Sequence, residues 1–277
     1  METVRSKATR NALRILTLAS ATNVAVAKGA GLPLKQSLEL GNYVQRASAL
    51  DRPEMPEPGM EVSELTAGEL MHRVLEEGDA LIALVITGPM INMAQLLRDY
   101  INSLAKITEV IFMGGSIDRG NHTPSAEFVT FADPEALNEV IKSDVPLRMV
   151  SHNLNHRALA VPSIVERMQA MKHVIEKTCA EWMGFFGSSY RSLWSFDAPP
   201  VHDPCSLVAL VDHTLIQWQK TFLAVELDGK WSRGETIVDL HNRLELPSNA
   251  SAAMKLDSAR YWDLVLDSIE HLGRARS

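Results

Sequence analysis

The sequence is short of several things, and each shortage excludes a class. Only two cysteines occur in 277 residues, Cys179 and Cys205. Neither sits in a Cys-x-x-Cys pair, so a disulfide scaffold and a zinc ribbon are excluded. The longest uninterrupted apolar run is Ala80–Ile86, far below the roughly 20 residues a membrane helix needs. Positive charge is outnumbered: 27 Lys and Arg face 34 Asp and Glu, for a formal net charge of −7. A nucleic-acid binder should carry a basic patch or stripe, so nucleic acid is not an expected partner. The opening residues Met1-Glu2-Thr3-Val4-Arg5-Ser6-Lys7 contain no apolar stretch of a secretory signal. Together with the scarce cysteine, this gives the expectation of a cytoplasmic protein with no membrane partner.

What is present is ordinary for a soluble globular chain, with 46% hydrophobic and 22% charged residues. A single domain over 1–277 is expected, large enough to bury a core without staples. Apolar spacing predicts a helix over 8–19. Asn23–Ala27 reads as a short strand, and residues 41–62, with Pro53, Pro56, Pro58 and Gly59, read as a long loop. Thr66 and Glu69 stand at capping-box spacing before a helix over 66–77. Ala80–Ile86 and Val110–Met113 are continuous apolar runs that stop at Thr87-Gly88-Pro89 and Gly114-Gly115. Such runs are the pattern of buried parallel strands. A helix over 90–104 lies between them. Asp133-Pro134-Glu135 starts another helix, and Leu147–Val150 is a third strand. This alternation implies an α/β fold with a mostly parallel sheet covered by helices. Ligands in such sheets bind at the carboxyl ends of the strands. Downstream, the pattern predicts helix over 163–186, a hairpin of Phe222–Leu227 with Thr236–Leu240, and a last helix over 258–272.

Chemistry is thinly marked. His202-Asp203-Pro204-Cys205 places an imidazole beside a carboxylate. Asp-Pro is also an ordinary helix start, and the pattern alone favours that capping reading. Asn121 and Glu127 lie on a loop at the ligand edge of the sheet, where they could hold sugar hydroxyls or simply face solvent. His152 and His156 have i, i+4 spacing, but no third ligand is evident. Gly114-Gly115 lacks the rest of a phosphate loop, and Ser188-Ser189 lacks a nucleophile elbow. The two cysteines read as core thiols.

Taken in order, the segments add up to a resemblance. Ile111-Phe112-Met113-Gly114-Gly115, Gly120-Asn121-His122-Thr123-Pro124, Ala126-Glu127-Phe128 and Asp133-Pro134-Glu135-Ala136 are similar to the inosine-uridine preferring nucleoside hydrolase family. So are Thr9-Arg10-Asn11-Ala12, Thr87-Gly88-Pro89 with Asn92, Val201-His202-Asp203-Pro204-Cys205 and Leu264-Val265-Leu266-Asp267. The likeness runs from about residue 4 to 273. It implies the family's α/β fold and a calcium-dependent hydrolysis of the N-glycosidic bond of purine and pyrimidine ribonucleosides. It also implies a dimer or tetramer of like chains. By position, Asp203 matches a calcium carboxylate and Thr87 a residue giving the metal its main-chain carbonyl. His202 matches a histidine beside the leaving base. Asn121 and Glu127 match ribose-hydroxyl ligands, and Met113 a residue beside the sugar. On this basis His202-Asp203 and the 120–127 loop become site candidates.

Departures from the family pattern carry their own expectations. The family's aspartate-rich first strand has no counterpart here, since the first aspartate is Asp51. The match begins near Val4, so the opening strand–helix–strand unit is expected upstream of Met1. The family's Glu-Phe-Asn reads Glu127-Phe128-Val129, its Leu-Asp-x-Thr reads His152-Asn153-Leu154-Asn155, and Gln45 stands for a histidine. One carboxylate and one carbonyl are few ligands for calcium. The alternative expectation is therefore an inactive homologue that binds ribosides or pairs with an active relative.

Overall fold

The computed structural model describes residues 4–38, 53–194 and 196–274. Local chemistry explains many of the boundaries. Helix α1 is Val4–Leu18 and α2 is Ala67–Glu77. The capping box at the start of α2 forms as the spacing predicts: the Glu69 amide donates to Thr66 Oγ1, and the Thr66 amide donates to the Glu69 carboxylate at 2.7 Å. Strand β1 (Ile82–Ile86) leads through Thr87-Gly88-Pro89 into α3 (Ile91–Asp99), which a short 3-10 turn, Ile101–Lys106, joins to β2 (Ile107–Met113). After a loop come α4 (Phe128–Ala132) and α5 (Pro134–Ile141). Asp133 caps α5 through the Ala136 amide and also accepts from the Leu34 amide at 2.8 Å. One side chain thus fixes both a helix start and the passing 30s segment.

Strand β3 (Leu147–Val150), the short α6 (His152–Asn155), α7 (Pro162–Ala170) and the long α8 (Val174–Trp194) follow. Then come α9 (Pro204–Val211), β4 (Ile216–Val225), β5 (Thr236–Asp239), β6 (Ala250–Leu256) and α10 (Ser258–Arg274). The six strands form one sheet in the order β1-β2-β3-β6-β4-β5. β1, β2, β3 and β6 run parallel, whereas β4 is antiparallel to both β6 and β5. The mostly parallel α/β sheet is therefore as expected, with an antiparallel flank supplied by the β4–β5 hairpin.

Strand alternation divides the core into two layers. Val110 and Phe112 face Met93, Leu96, Leu137 and Val140 of α3 and α5. Ile111 and Val150 face Cys205 and Val208 of α9 together with Tyr261 and Leu266 of α10. Both layers are enclosed: Ile111, Phe112, Leu137, Tyr261 and Leu266 are almost wholly buried.

Three expectations are corrected. Residues 23–27 form no strand; among the described residues Val26 accepts the Ser63 amide and the neighbouring Lys28 makes one bridge, with Thr66. β1 is not buried. Among the described residues it has a partner only in β2, and each of its residues is partly exposed. The helix read over 163–186 is two helices, α7 and α8. Of the long 41–62 loop, residues 41–52 lie outside the described residues, as does Gln45. No helix among the described residues is long and apolar enough to cross a membrane.

Candidate functional site

The parallel strands bring their carboxyl ends level. Ile86 pairs with Phe112, and Met113 with Val150, so Thr87, Gly114 and Ser151 emerge along one rim. A cavity of about 550 Å³ opens there, within the range of small-molecule sites. Thr87, Met113, Asn121, Glu127, His202 and Asp203 all line it. Six residues spread over more than a hundred positions are thus brought together where the sequence placed them.

The loop between β2 and α4 is the most firmly built wall. Gly115 has φ +71°, and a Cβ there would lie 2.8 Å from Thr236 Cγ2 and Oγ1, so only glycine fits. The Thr236 hydroxyl accepts from the Ser116 amide at 2.8 Å and donates to the Ser116 carbonyl at 2.6 Å. Asn153 Oδ1 accepts from the Ile117 amide at 2.6 Å, and its amide nitrogen donates to Asp118. Asn153, expected as an altered site carboxylate, is therefore a pin for this loop and does not line the cavity.

Glu127 is 1% exposed. Its carboxylate accepts the amides of Gly115 and Val129, each at 2.9 Å, and of Thr130 at 3.2 Å. Burial nevertheless outweighs these bonds and pushes the carboxyl up to about 7, with a small further push from Asp203. Asn121 Oδ1 accepts the Phe128 amide at 2.9 Å, and its Nδ2 lies 3.3 Å from His152 Nδ1. Val129 lines the cavity with a methyl-bearing side chain that offers no hydrogen bond to a sugar.

The opposite chemistry gathers around His202. Its Nε2 lies 2.9 Å from the Tyr190 hydroxyl, while Nδ1 is buried and has no hydrogen-bond partner among the described residues. Burial holds its pKa down at about 3. His152 stacks on His202 with ring centres 5.5 Å apart, and His156 meets His152 edge-on at 4.2 Å. Burial, then the neighbouring imidazoles, hold His152 at about 3 as well. All three rings are therefore neutral near pH 7. Phe196 abuts His156 at 5.1 Å, and Phe186 abuts Tyr190 at 4.8 Å, which extends this ring-lined wall.

Asp203 occupies the N-cap position of α9, yet its side chain makes no capping bond. The helix start at Asp203-Pro204 is as expected, and only the side-chain capping bond of that reading does not form. Its carboxylate is open to the cavity but surrounded by protein, and this desolvation raises its pKa to about 6. The residues the sequence reading missed are Tyr190, Phe186 and Phe196, with His152 and His156 seen only as an incomplete pair. Phe186 and Tyr190 are i, i+4 on α8, a readable signal. Nothing in the sequence joins them to His202.

Calcium requires six to eight oxygen ligands. The cavity offers one unengaged carboxylate, Asp203, and the carbonyl of Thr87; the oxygens of Glu127 are taken by three amides. Among the described residues no cluster of three His, Cys, Asp or Glu is arranged to hold a metal. The described residues do not fit a calcium cage. The roles expected for Asp203 and Thr87 as metal ligands find no support in this donor set.

Comparison with known proteins gives a consistent answer. The family model described as inosine-uridine preferring nucleoside hydrolase matches residues 2–263. A pyrimidine-specific ribonucleoside hydrolase, RihA, of Enterobacter sp. (strain 638) is 36% identical over 264 residues, covering 95% of this chain and 84% of that protein. Among solved structures, a purine-preferring ribonucleoside hydrolase from Gardnerella vaginalis superposes with a TM-score of 0.89 at 22% identity, over 97% of this chain and 87% of the other. The plant nucleoside hydrolase PpNRh1 gives 0.87 at 23% identity, over 96% and 86%.

Proposed function

The chain belongs to the inosine-uridine preferring nucleoside hydrolase family, and from that premise we propose that it hydrolyses the N-glycosidic bond of ribonucleosides to ribose and free base. The observation that carries this reading is the meeting of a polar sugar-binding wall and a ring-lined wall in one cavity of nucleoside size. The curated relatives bear the name of pyrimidine-specific enzymes, so uridine and cytidine are the first substrates to try.

The reaction joins a water oxygen to the anomeric carbon and expels the base with the electron pair of the broken C–N bond. Asn121 holds the ribose hydroxyls, Glu127, whose oxygens three amides engage, fixes the loop beneath them, and Met113 packs beside the sugar. The rings of Phe186, Tyr190 and Phe196 take the base. Asp203 makes no capping bond and has a pKa near 6, so it is placed to accept a proton from the attacking water. His202 has another task than donating from an imidazolium. At pH 7, with a pKa of about 3, only about one molecule in 10⁴ carries that proton. Its part is to orient the Tyr190 hydroxyl, whose proton meets the departing base nitrogen. No step is routed through a metal. Association of like chains and a cytoplasmic setting are further parts of this proposal, the first to be read by light scattering.

The test is ribose release from uridine, cytidine and inosine by the purified chain, with calcium and with a chelator. Release that falls by about 100-fold or more in Asp203→Asn supports the reading. A folded chain that releases no ribose from any of the three overturns it, and leaves the inactive-homologue alternative that the comparisons give no support.

A further inference from the structure

His152 lines the cavity with only 4% of its surface exposed, and the chemistry above gives it no task. It opens α6, one residue past the end of β3. Its backbone amide donates to the Gly115 carbonyl at 2.9 Å, and the next residue, Asn153, pins Ile117. Its ring stacks on His202 and meets His156 edge-on. Main chain and ring are both held, so the side chain is preorganised.

Whether it donates or accepts follows from Asn121. Asn121 Oδ1 is committed to the Phe128 amide. The atom 3.3 Å from His152 Nδ1 is Nδ2, which only donates. Nδ1 is therefore the acceptor and carries no proton. Burial keeps the ring neutral, and a neutral imidazole holds one proton. That proton is on Nε2. Among the described residues Nε2 has no hydrogen-bond partner, and it is not sealed from solvent as the orphaned buried atoms are. It is an unengaged N–H on the cavity wall.

Its place decides what it meets. On one side is Asn121, which holds the ribose. On the other is His202, whose Nε2 partners the Tyr190 hydroxyl at the leaving base. The His152 ring thus stands where the sugar wall joins the ring wall, beside the bond to be broken. When that bond breaks, its electron pair passes to the base nitrogen. In a pyrimidine this nitrogen is part of an amide, and the pair is shared with the adjacent carbonyl oxygen. A fixed donor at that oxygen stabilises the developing charge more than the ground state. We propose that His152, through Nε2–H, donates to the carbonyl oxygen next to the glycosidic nitrogen of a pyrimidine riboside, as a further catalytic residue of the hydrolysis. This rests on the ribohydrolase reading of the same cavity. His152 keeps its proton throughout, and Tyr190 supplies the one that meets the base nitrogen. A purine has no carbonyl in that position, so the same contact favours pyrimidines.

Turnover of uridine is compared with that of p-nitrophenyl riboside, whose leaving group has no such carbonyl. In His152→Leu, kcat for uridine is expected to fall about 100-fold, and kcat for p-nitrophenyl riboside less than about threefold. His152→Gln restores an N–H and should recover at least about tenfold of the loss on uridine. Equal losses on the two substrates overturn the proposal, make His152 a packing group and leave the hydrolase reading intact. A second arm does not depend on either His152 variant folding. Calorimetric titration of Asp203→Asn, in which hydrolysis is slowed, compares uridine with 1-ribosyl-4-pyrimidinone, which lacks the 2-carbonyl. Uridine is expected to bind about fivefold more tightly, the weight of one net hydrogen bond. Equal affinities overturn the proposal while the riboside reading stands. Binding of neither, with no ribose released by the wild type, overturns the riboside reading itself and the proposal with it.

Discussion

Glu127 sets two large effects against each other, and one substitution decides between them. Three backbone amides favour its ionised form, and complete burial disfavours it. Burial wins, carrying the carboxyl from an ordinary 4.5 to about 7. At about 1.36 kcal/mol per pKa unit, ionising it in the folded protein costs about 3 kcal/mol more than in the unfolded chain. Glu127→Gln preserves shape and mimics the protonated acid. The sign follows from proton counting: between pH 4.5 and 7 the folded wild type holds a proton that the unfolded chain has released. Wild-type stability from this group is therefore full below pH 4.5 and lost as pH rises through 7. The variant lacks that loss. The two proteins should unfold alike near pH 4.5, and the variant should be more stable by up to about 3 kcal/mol above pH 8. For a chain of this size that is a gain of about 6 °C in Tm. Thermal unfolding followed by circular dichroism across this range measures it. A variant less stable than wild type at high pH would mean that the three amides dominate and the carboxylate is ionised in the fold.

Further outcomes follow from the same geometry. Tyr190→Phe removes the bond to His202 Nε2 and should lower kcat for ribose release about 100-fold with KM changed less than about threefold; a change confined to KM would make Tyr190 a binding group only. His152 and His202 are held near 3, below the ordinary 6.5, so below pH 6.5 the unfolded chain takes up protons that the fold refuses. Their loss of stability on acidification is opposed down to about pH 4 by Glu127 and Asp203, which ordinarily titrate at 4.5 and 3.8 and are raised in the fold. Denaturant titrations at a series of pH values should show little slope between pH 6.5 and 4.5 and a steep fall below it; a steady decline from pH 6.5 would refute the balance. Gly115→Ala drives a methyl into Thr236 and strains a positive φ, so chemical denaturation should show a loss of about 3 kcal/mol; a loss under about 1 kcal/mol would show that the loop can yield.

Where local chemistry alone decides structure, the sequence was readable. Thr66 with Glu69 and Asp133 with Pro134 mark helix starts that form as written. Strand β6 escaped because Ala250-Ser251-Ala252-Ala253 carries no β-branched residue. It is sandwiched between β3 and β4, where small side chains leave room for Tyr261 and Trp262. The exposed edge position of β1 was misread because Ile82–Ile86 looks the same whether both faces are covered or not. At the site, the six residues found by resemblance do share one cavity. The ring wall was invisible because α6, α8 and the segment before α9 meet only in three dimensions. Asp203 shows the reverse case: Asp-Pro wrote a helix cap, and tertiary structure withheld the bond.

The pairing of Thr236 with Ser116 has a consequence for how the molecule comes together. The two residues are 120 positions apart, and Thr130 reaches Gly234 across 104. Closing such a span before any local contact rewards it is entropically unfavourable. The loop that carries Asn121 and Glu127 can settle only when the β4–β5 hairpin has arrived. On a chain emerging from the ribosome, β1, β2 and β3 are complete long before Thr236 exists. The cavity is therefore completed only after the first three strands are in place.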